Sequence, residues 1–456
     1  MTTLRTLAPL LLRGDDRERL GQLLPVAAFA VVTALTLTVA GGAEFFLHLD
    51  EVPGADPTYQ GVYTALALFA LVILAVPLVS LAGSAVRLST RRRDTRLSSL
   101  RLLGAPRSLL VRLSVLEAGG LAAVGVLLGV VGHLALSPVV GLVPFLGGPI
   151  GAAAVVPSFP VALATVLVLV GTAVVASALG LRRVAITPLG VRTRQVPAAA
   201  SWVRALVAVA VLASGYVLAN LAGSLGSLIA AIAVILVVFA MGMAVLGVVG
   251  PWVLRVLARS WLRRGGSGPR AVTRLLAART VLDDPKAVWR QVSGVAMVSF
   301  TSVVVGVGLA LTDAASASAP AGSDAMLLDD MRTGVLLTIA LSFLTLAAAI
   351  TVHAAAEVFD RKDIYVALER LGTPRAALES TRRAVVLRPL VAVCLVSAAA
   401  GGLLVLPLAG MALLLSPLTL AAIVGALVLG LLVVRVAVGT TAPLLRQVLA
   451  APEPVV

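Results

Sequence analysis

Two stretches of this chain carry its charged and conformationally special residues at matched spacing. Arg91–Leu113 reads RRRDTRLSSLRLLGAPRSLLVRL, and Arg361–Leu378 reads RKDIYVALERLGTPRAAL. In register, Arg93 matches Arg361, Leu100 matches Leu368 and Leu103 matches Leu371. Gly104, Pro106 and Arg107 match Gly372, Pro374 and Arg375, with Ala105 opposite Thr373. Ile364, Ala367, Leu368 and Leu371 recur at helical spacing and form one apolar face, with Arg361, Lys362, Glu369 and Arg370 around it. Gly372 suits the left-handed position that ends a helix. Thr373 then caps a new helix with Pro374 at its first position; Ala105 makes the first cap weaker. The expected shape is a short helix, a tight corner and a second helix that re-enters a membrane. An apolar ridge with basic flanks fits a groove on a soluble partner. The competing reading is a pair of interfacial helices lying on lipid.

Residues for other chemistries are scattered. Gly-x-x-x-x-Gly-Lys-Ser/Thr does not occur, and neither Lys286 nor Lys362 follows a glycine, so the sequence contains no P-loop. An ATPase that drives this chain is a separate polypeptide. His48, His133 and His353 lie far apart without metal-ligand spacing, and read as packed or interfacial side chains. Gly-x-Ser-x-Gly is missing, and no carboxylate pair stands inside an apolar run. The single cysteine, Cys394, permits no intrachain disulfide and no thiolate metal site. Glu117, and Glu357 with His353, fall near span ends, where snorkelling or an arginine partner accounts for them. The chain is not expected to be an enzyme or to hold a cofactor. Gly125 and Gly129 form a Gly-x-x-x-Gly that permits close helix packing.

The elements that must position these residues are membrane helices. Hydrophobic residues make up 60% of 456 positions and charged residues only 12%, with a mean hydropathy of +1.07. A soluble domain carries about twice that charge. Apolar runs of about 20 residues, enough to span roughly 30 Å of hydrocarbon, recur at about 23–41, 62–86, 115–136, 159–181, 205–221, 228–249, 292–311, 334–356, 389–408 and 418–438. They do not alternate as barrel strands do, and no polar lining is evident across them. The expected fold is an all-α polytopic bundle of ten spans.

Charge sets the expected orientation. With both ends in the cytoplasm, Arg332 alone of the 36 Lys and Arg falls outside. Glu44, Asp50, Glu51, Asp56, Asp313, Asp324, Asp329 and Asp330 fall outside with it. That is the positive-inside pattern. The net charge of +15 therefore reads as topology and attraction to anionic lipid; no signal of a base-reading fold supports a nucleic-acid partner. The first four spans and the last four share a plan of span, outer loop, span, basic segment, span, outer loop and span, with the fifth and sixth an inserted pair. This divides the chain into an N-terminal amphipathic segment (1–22), a four-helix unit (23–194), an inserted pair (195–250), a basic cytoplasmic linker (251–290), a second four-helix unit (291–446) and a tail (447–456).

Arg91–Gly129, with Leu-Gly-Ala at 103–105 and the Leu116–Glu117 pair opening a glycine-rich span, resembles the core of the FtsX-like permease family of ABC transporters. Ala185–Arg194 is similar to that family's stretch after the fourth span, and Asp360–Leu378 resembles a second, divergent copy. The 4+2+4 plan is similar to the ten-span bacitracin-exporter (BceB-like) branch. The resemblance implies a permease subunit in a bacterial plasma membrane, with ATP and Mg on partner ATPase subunits, two copies of which dock on the corners. It implies export or mechanotransmission, with an apolar, amphiphilic or peptide-like client. A homodimer is an alternative assembly. Two other functions remain open: a scaffold relaying ATPase state to a sensor kinase or envelope enzyme, and an ion-gradient-driven secondary transporter. One departure stands out, since relatives carry a large extracytoplasmic domain and the loops at 42–61 and 312–331 are short.

Overall fold

A computed structural model describes residues 16–51, 57–91, 106–185, 228–263, 269–316, 323–360 and 375–405, with isolated positions in 206–218, 366–372 and 424–439. Helices α1 (Asp16–Leu47), α2 (Gln60–Arg91) and α3 (Arg107–Gly141) lead into a two-stranded hairpin, β1 (Pro144–Phe145) and β2 (Gly148–Pro149). A single turn, α4 (Ala152–Val155), and α5 (Phe159–Ala185) follow. The later helices are α6 (Leu228–Arg263), α7 (Pro269–Asp283), α8 (Pro285–Ser316), α9 (Ser323–Asp360) and α10 (Arg375–Leu404).

Among the described residues, five stretches are long and apolar enough to cross a membrane: Leu23–Leu47, Val115–Gly141, Ala233–Arg263, Ala325–Val352 and Val385–Leu404. Gln60–Ala75, Phe159–Val175 and Val292–Gly308 are shorter apolar helices. The chain is an all-α membrane protein. The expected spans at 205–221 and 418–438 fall mostly outside the described residues, as does most of 1–22, whose last seven residues are continuous with α1.

Three boundaries differ from the sequence reading. The stretch expected as a loop at 312–331 is largely helical, because α8 runs to Ser316 and α9 begins at Ser323. Met326, Leu327, Leu328 and Met331 are good helix formers, and an acidic first turn suits the helix dipole. Within the basic linker at 251–290, the described residues 251–263, 269–283 and 285–290 are also helical. α6 passes through Pro251 to Arg263, and α7 packs back against it. Finally, the bundle buries neutral polar side chains that averaged hydropathy conceals, among them Thr33, Thr38, Ser137, Ser299, Ser342 and Thr345. The hydroxyls of Thr33 and Thr38 donate to Phe29 O and Ala34 O, each at 2.8 Å, so they meet no unsatisfied backbone in the apolar interior.

The packing follows from small residues meeting large ones. Lipid tails give helices no hydrophobic reason to associate, so close fit must do so. α1 packs most extensively on α3 and α8 on α10, while α2 packs on both α1 and α9. Contacts in the first pair rise together along both chains: Gly125 meets Val26 and Phe29, Gly129 meets Ala30 and Thr33, and His133 meets Thr38. α1 and α3 are therefore parallel. Cys394 against Ser299 and Gly401 against Phe300 and Val303 make α8 and α10 parallel in the same way. α2 and α9 meet at Tyr63–Asp330 near their N-termini, and Leu81 and Ala85 share a core with Ala349 and Val352 towards their C-termini, so this pair is parallel too. Short connections join α1 to α2 and α8 to α9. It follows that the N-termini of α1, α3, α8 and α10 lie at one end of the bundle, with the C-termini of α2 and α9. This is called the basic end below, and the other, with Glu44, Asp50 and Asp330, the acidic end.

Candidate functional site

Both sequence-matched corners fall at the basic end. At the second, Leu371 N–H donates to Ala367 O at 3.1 Å and Gly372 N–H to Glu369 O at 2.9 Å, which ends the preceding helical turn. Gly372 has φ +85°, the left-handed conformation in which a side chain costs roughly 1–2 kcal/mol. A Cβ there would meet nothing within 4 Å, so backbone conformation alone calls for glycine. Leu371 is 81% exposed, with Ala367 exposed four residues before it. α10 then starts at Arg375, one residue after the expected Pro374.

At the first corner, Pro106 has φ −67° and ψ 146° and takes the cap position of α3, without a side-chain cap; the helix starts at Arg107. Leu109 N–H donates to Pro106 O at 3.0 Å. The remaining corner positions, Arg93, Leu100, Leu103, Gly104, Ala105, Arg361, Leu368, Thr373 and Pro374, lie outside the described residues. Gly125 and Gly129 face α1. A Cβ at Gly125 would come within 2.6 Å of Phe29 Cβ and 2.7 Å of Val26 O, and one at Gly129 within 2.5 Å of Thr33 Cβ.

Sequence reasoning missed a second constellation, at the acidic end. Asp330 in the first turns of α9 is 5% exposed. Its Oδ2 accepts from the Tyr63 hydroxyl, and both carboxylate oxygens lie 3.1 Å from Leu146 N–H. Leu146 and Gly147 form the two-residue turn of the hairpin, with φ 55° and 80°. Positive φ at both positions is the geometry that matches strand twist in such turns, yet leucine is a poor occupant of the first. Three aromatic rings form a contiguous cluster that includes the Tyr63 donor. Phe46 stacks on Tyr63 at 5.9 Å and 4°, and meets Phe145 edge-on at 5.1 Å and 72°. Glu44 Oε2 accepts from Ser158 N–H at 2.8 Å, tying α1 to the start of α5. With its donors in place Asp330 is a structural acceptor, not a free base. As the sequence reads, Asp330 was one of eight outer-side acids. The available signal was Phe-Leu-Gly-Gly between two prolines, a turn sequence inside an uncharged loop.

No group of three or more His, Cys, Asp or Glu among the described residues has metal-holding geometry. An apolar cleft of about 310 Å³ lies between α2, α6 and α8, lined by Val72, Phe239, Met243, Gly247 and Met297 among others. Comparison with protein-family models, with curated proteins and with solved structures finds no match for this chain.

Proposed function

We propose that this chain is the membrane-spanning permease subunit of an ABC transporter, driven through its two corners by separate ATPase subunits that carry ATP and Mg. One observation carries the reading: an exposed leucine beside a left-handed glycine, at the same end of the bundle as the matched Pro106 corner. A leucine left 81% exposed suits a groove on another protein. The helix pairing adds support. The repeat pairs α1 with α8, α2 with α9 and α3 with α10 as equivalents, and the packing relates α1–α3 to α8–α10 across a central α2–α9 contact. That arrangement suits a pseudo-two-fold core, ten spans in a 4+2+4 plan and two docked ATPases. The basic end is the cytoplasmic side of a bacterial plasma membrane, with both termini there. Clients of such an apolar bundle are apolar, amphiphilic or peptide-like, moved by export or by mechanotransmission rather than through a wide aqueous pore.

Co-purification tests this. The tagged full chain, purified from its native host, retains a P-loop ATPase subunit, and Leu371→Asp or Gly372→Leu releases it. Retention by both folded variants overturns the docking reading. A relay of ATPase state to a sensor kinase or envelope enzyme is the second reading. The short outer stretches at 42–61 and 312–331 argue against capture of an envelope enzyme there, so this reading rests on contacts within the membrane.

A further inference from the structure

We propose that the Pro144–Pro149 hairpin is a lid latched onto Asp330, and that the acidic end of the bundle opens by releasing it. The hairpin does not hold itself. Its strands have two residues each, far below what is independently stable in water, and its turn places Leu146 at φ 55°, a conformation that disfavours any side chain with a Cβ. Its base is tied by Ile150 N–H to Val143 O at 3.3 Å and by Gly151 N–H to Gly141 O at 2.9 Å, but its tip is stabilised from outside. Leu146 N–H donates to Asp330, the buried Phe145 ring covers Gly334, and Phe46 abuts Phe145. A small element whose tip is held by one carboxylate and one buried ring has two states available: seated or lifted.

Asp330 is also where lid and bundle are joined. Tyr63 brings α2 to the same carboxylate, so losing this acceptor frees the hairpin and separates the N-terminal turns of α2 and α9 together. Those two helices form the central contact of the bundle, so release of the lid and opening of the end become one event. Burial of Asp330 keeps water off the carboxylate while the lid is seated, which strengthens its hydrogen bonds and makes the closed state discrete. This inference concerns the acidic end alone and stands whether or not an ATPase docks at the other.

The test reads cover directly. In the full chain with Cys394→Ser, Gly334→Cys is the sole cysteine, placed 3.8 Å from the Phe145 ring. Its reaction rate with a polar maleimide is measured in detergent. Asp330→Ala raises the rate at least ten-fold, and Tyr63→Phe, which removes one of the bonds and keeps the stacked ring, raises it two- to five-fold. Leu371→Cys, in place of Gly334→Cys at the opposite end, reacts at an unchanged rate in both variants. Unchanged labelling at 334 in Tyr63→Phe and in a folded Asp330→Ala overturns the lid. So does an equal rise at 371, which would report general loosening. If Asp330→Ala fails to fold, the Tyr63→Phe rate decides alone. Neither result bears on ATPase retention.

Discussion

Gly125→Ala and Gly120→Ala place the same methyl group five residues apart on α3, and the structure assigns them opposite effects. At Gly125 the new Cβ would sit 2.6 Å from Phe29 Cβ and 2.7 Å from the Val26 carbonyl oxygen. Carbon atoms in contact prefer about 3.5–4.0 Å, so α1 and α3 must part locally by roughly 1 Å. Neither obstacle is a flexible side-chain tip. One is a backbone oxygen and the other a Cβ fixed to the helix of a ring that is fully buried. Overpacking of this kind costs about 1–3 kcal/mol, with the upper half of the range expected because backbone must move. At Gly120 nothing lies within 4 Å of the added atom, and alanine there gains about 0.8–1 kcal/mol of helix propensity. Alanine gains the same propensity at Gly125, so that contribution cancels and the two variants differ by the overpacking cost, about 2–3 kcal/mol in stability. Reversible unfolding in mixed micelles, followed by tryptophan fluorescence, measures the difference. Equal stabilities, or Gly125→Ala above the parent, would refute the claim that α1 and α3 meet at backbone distance.

Three further outcomes follow. Phe300→Ala empties a fully buried site against Gly242, Gly401 and Phe239; a cavity of roughly 100 Å³ costs about 2 kcal/mol at ~24 cal/mol per Å³. That is less than the same change in a soluble core, because lipid removes the transfer contribution, and a loss above about 4 kcal/mol in the unfolding assay would contradict it. His133→Leu is neutral or stabilising. The Thr38 hydroxyl gives its proton to Ala34 O and accepts from His133 Nδ1 at 3.0 Å, which leaves a buried Nε2 with no hydrogen-bond partner. Removing an unsatisfied buried acceptor relieves about 1–3 kcal/mol against one lost bond of about 1; destabilisation beyond about 1 kcal/mol would reveal a partner for Nε2. Gly372→Ala costs about 1–2 kcal/mol through φ alone, and Gly402→Ala, which also meets nothing within 4 Å and lies within α10, does not. Circular dichroism melts that rank the two equally would sink the left-handed assignment.

The membrane-crossing helices were legible because each is a long apolar run, and a run that must cross hydrocarbon leaves its length in the sequence; the basic α7 had no such signal. The Gly372 corner was legible because glycine before a threonine–proline pair is a local signal with a local cause. Ends were less legible. α9 starts eleven residues before its expected Gly334 because Asp329, Asp330 and Arg332 look like loop by charge, while the backbone responds to propensity and to what Asp330 accepts. The Tyr63–Asp330 contact joins positions 267 residues apart, and no periodicity within either helix encodes that pairing. Nor does hydropathy reveal that Thr38 and His133 face each other, since single polar residues vanish in a window average.

The two ends of the bundle are mechanically the same element seen twice. α9 has 38 residues, which at 1.5 Å per residue is about 57 Å. Its C-terminus leads into the Gly372 corner and its N-terminal turns carry Asp330. α2 runs beside it in the same direction, with Tyr63 near one terminus and Arg91 at the other. A straight helix transmits tilt without amplification, so a partner that moves the corner by a few ångström moves Asp330 by a comparable amount. A hydrogen bond at 3.1 Å does not survive a displacement of that size, because such bonds weaken steeply once distance and angle leave their narrow range. The latch therefore needs no separate sensor. If the corners are where force enters, the short acidic end suffices as the place where it is read, and a large domain there is not required for the bundle to open.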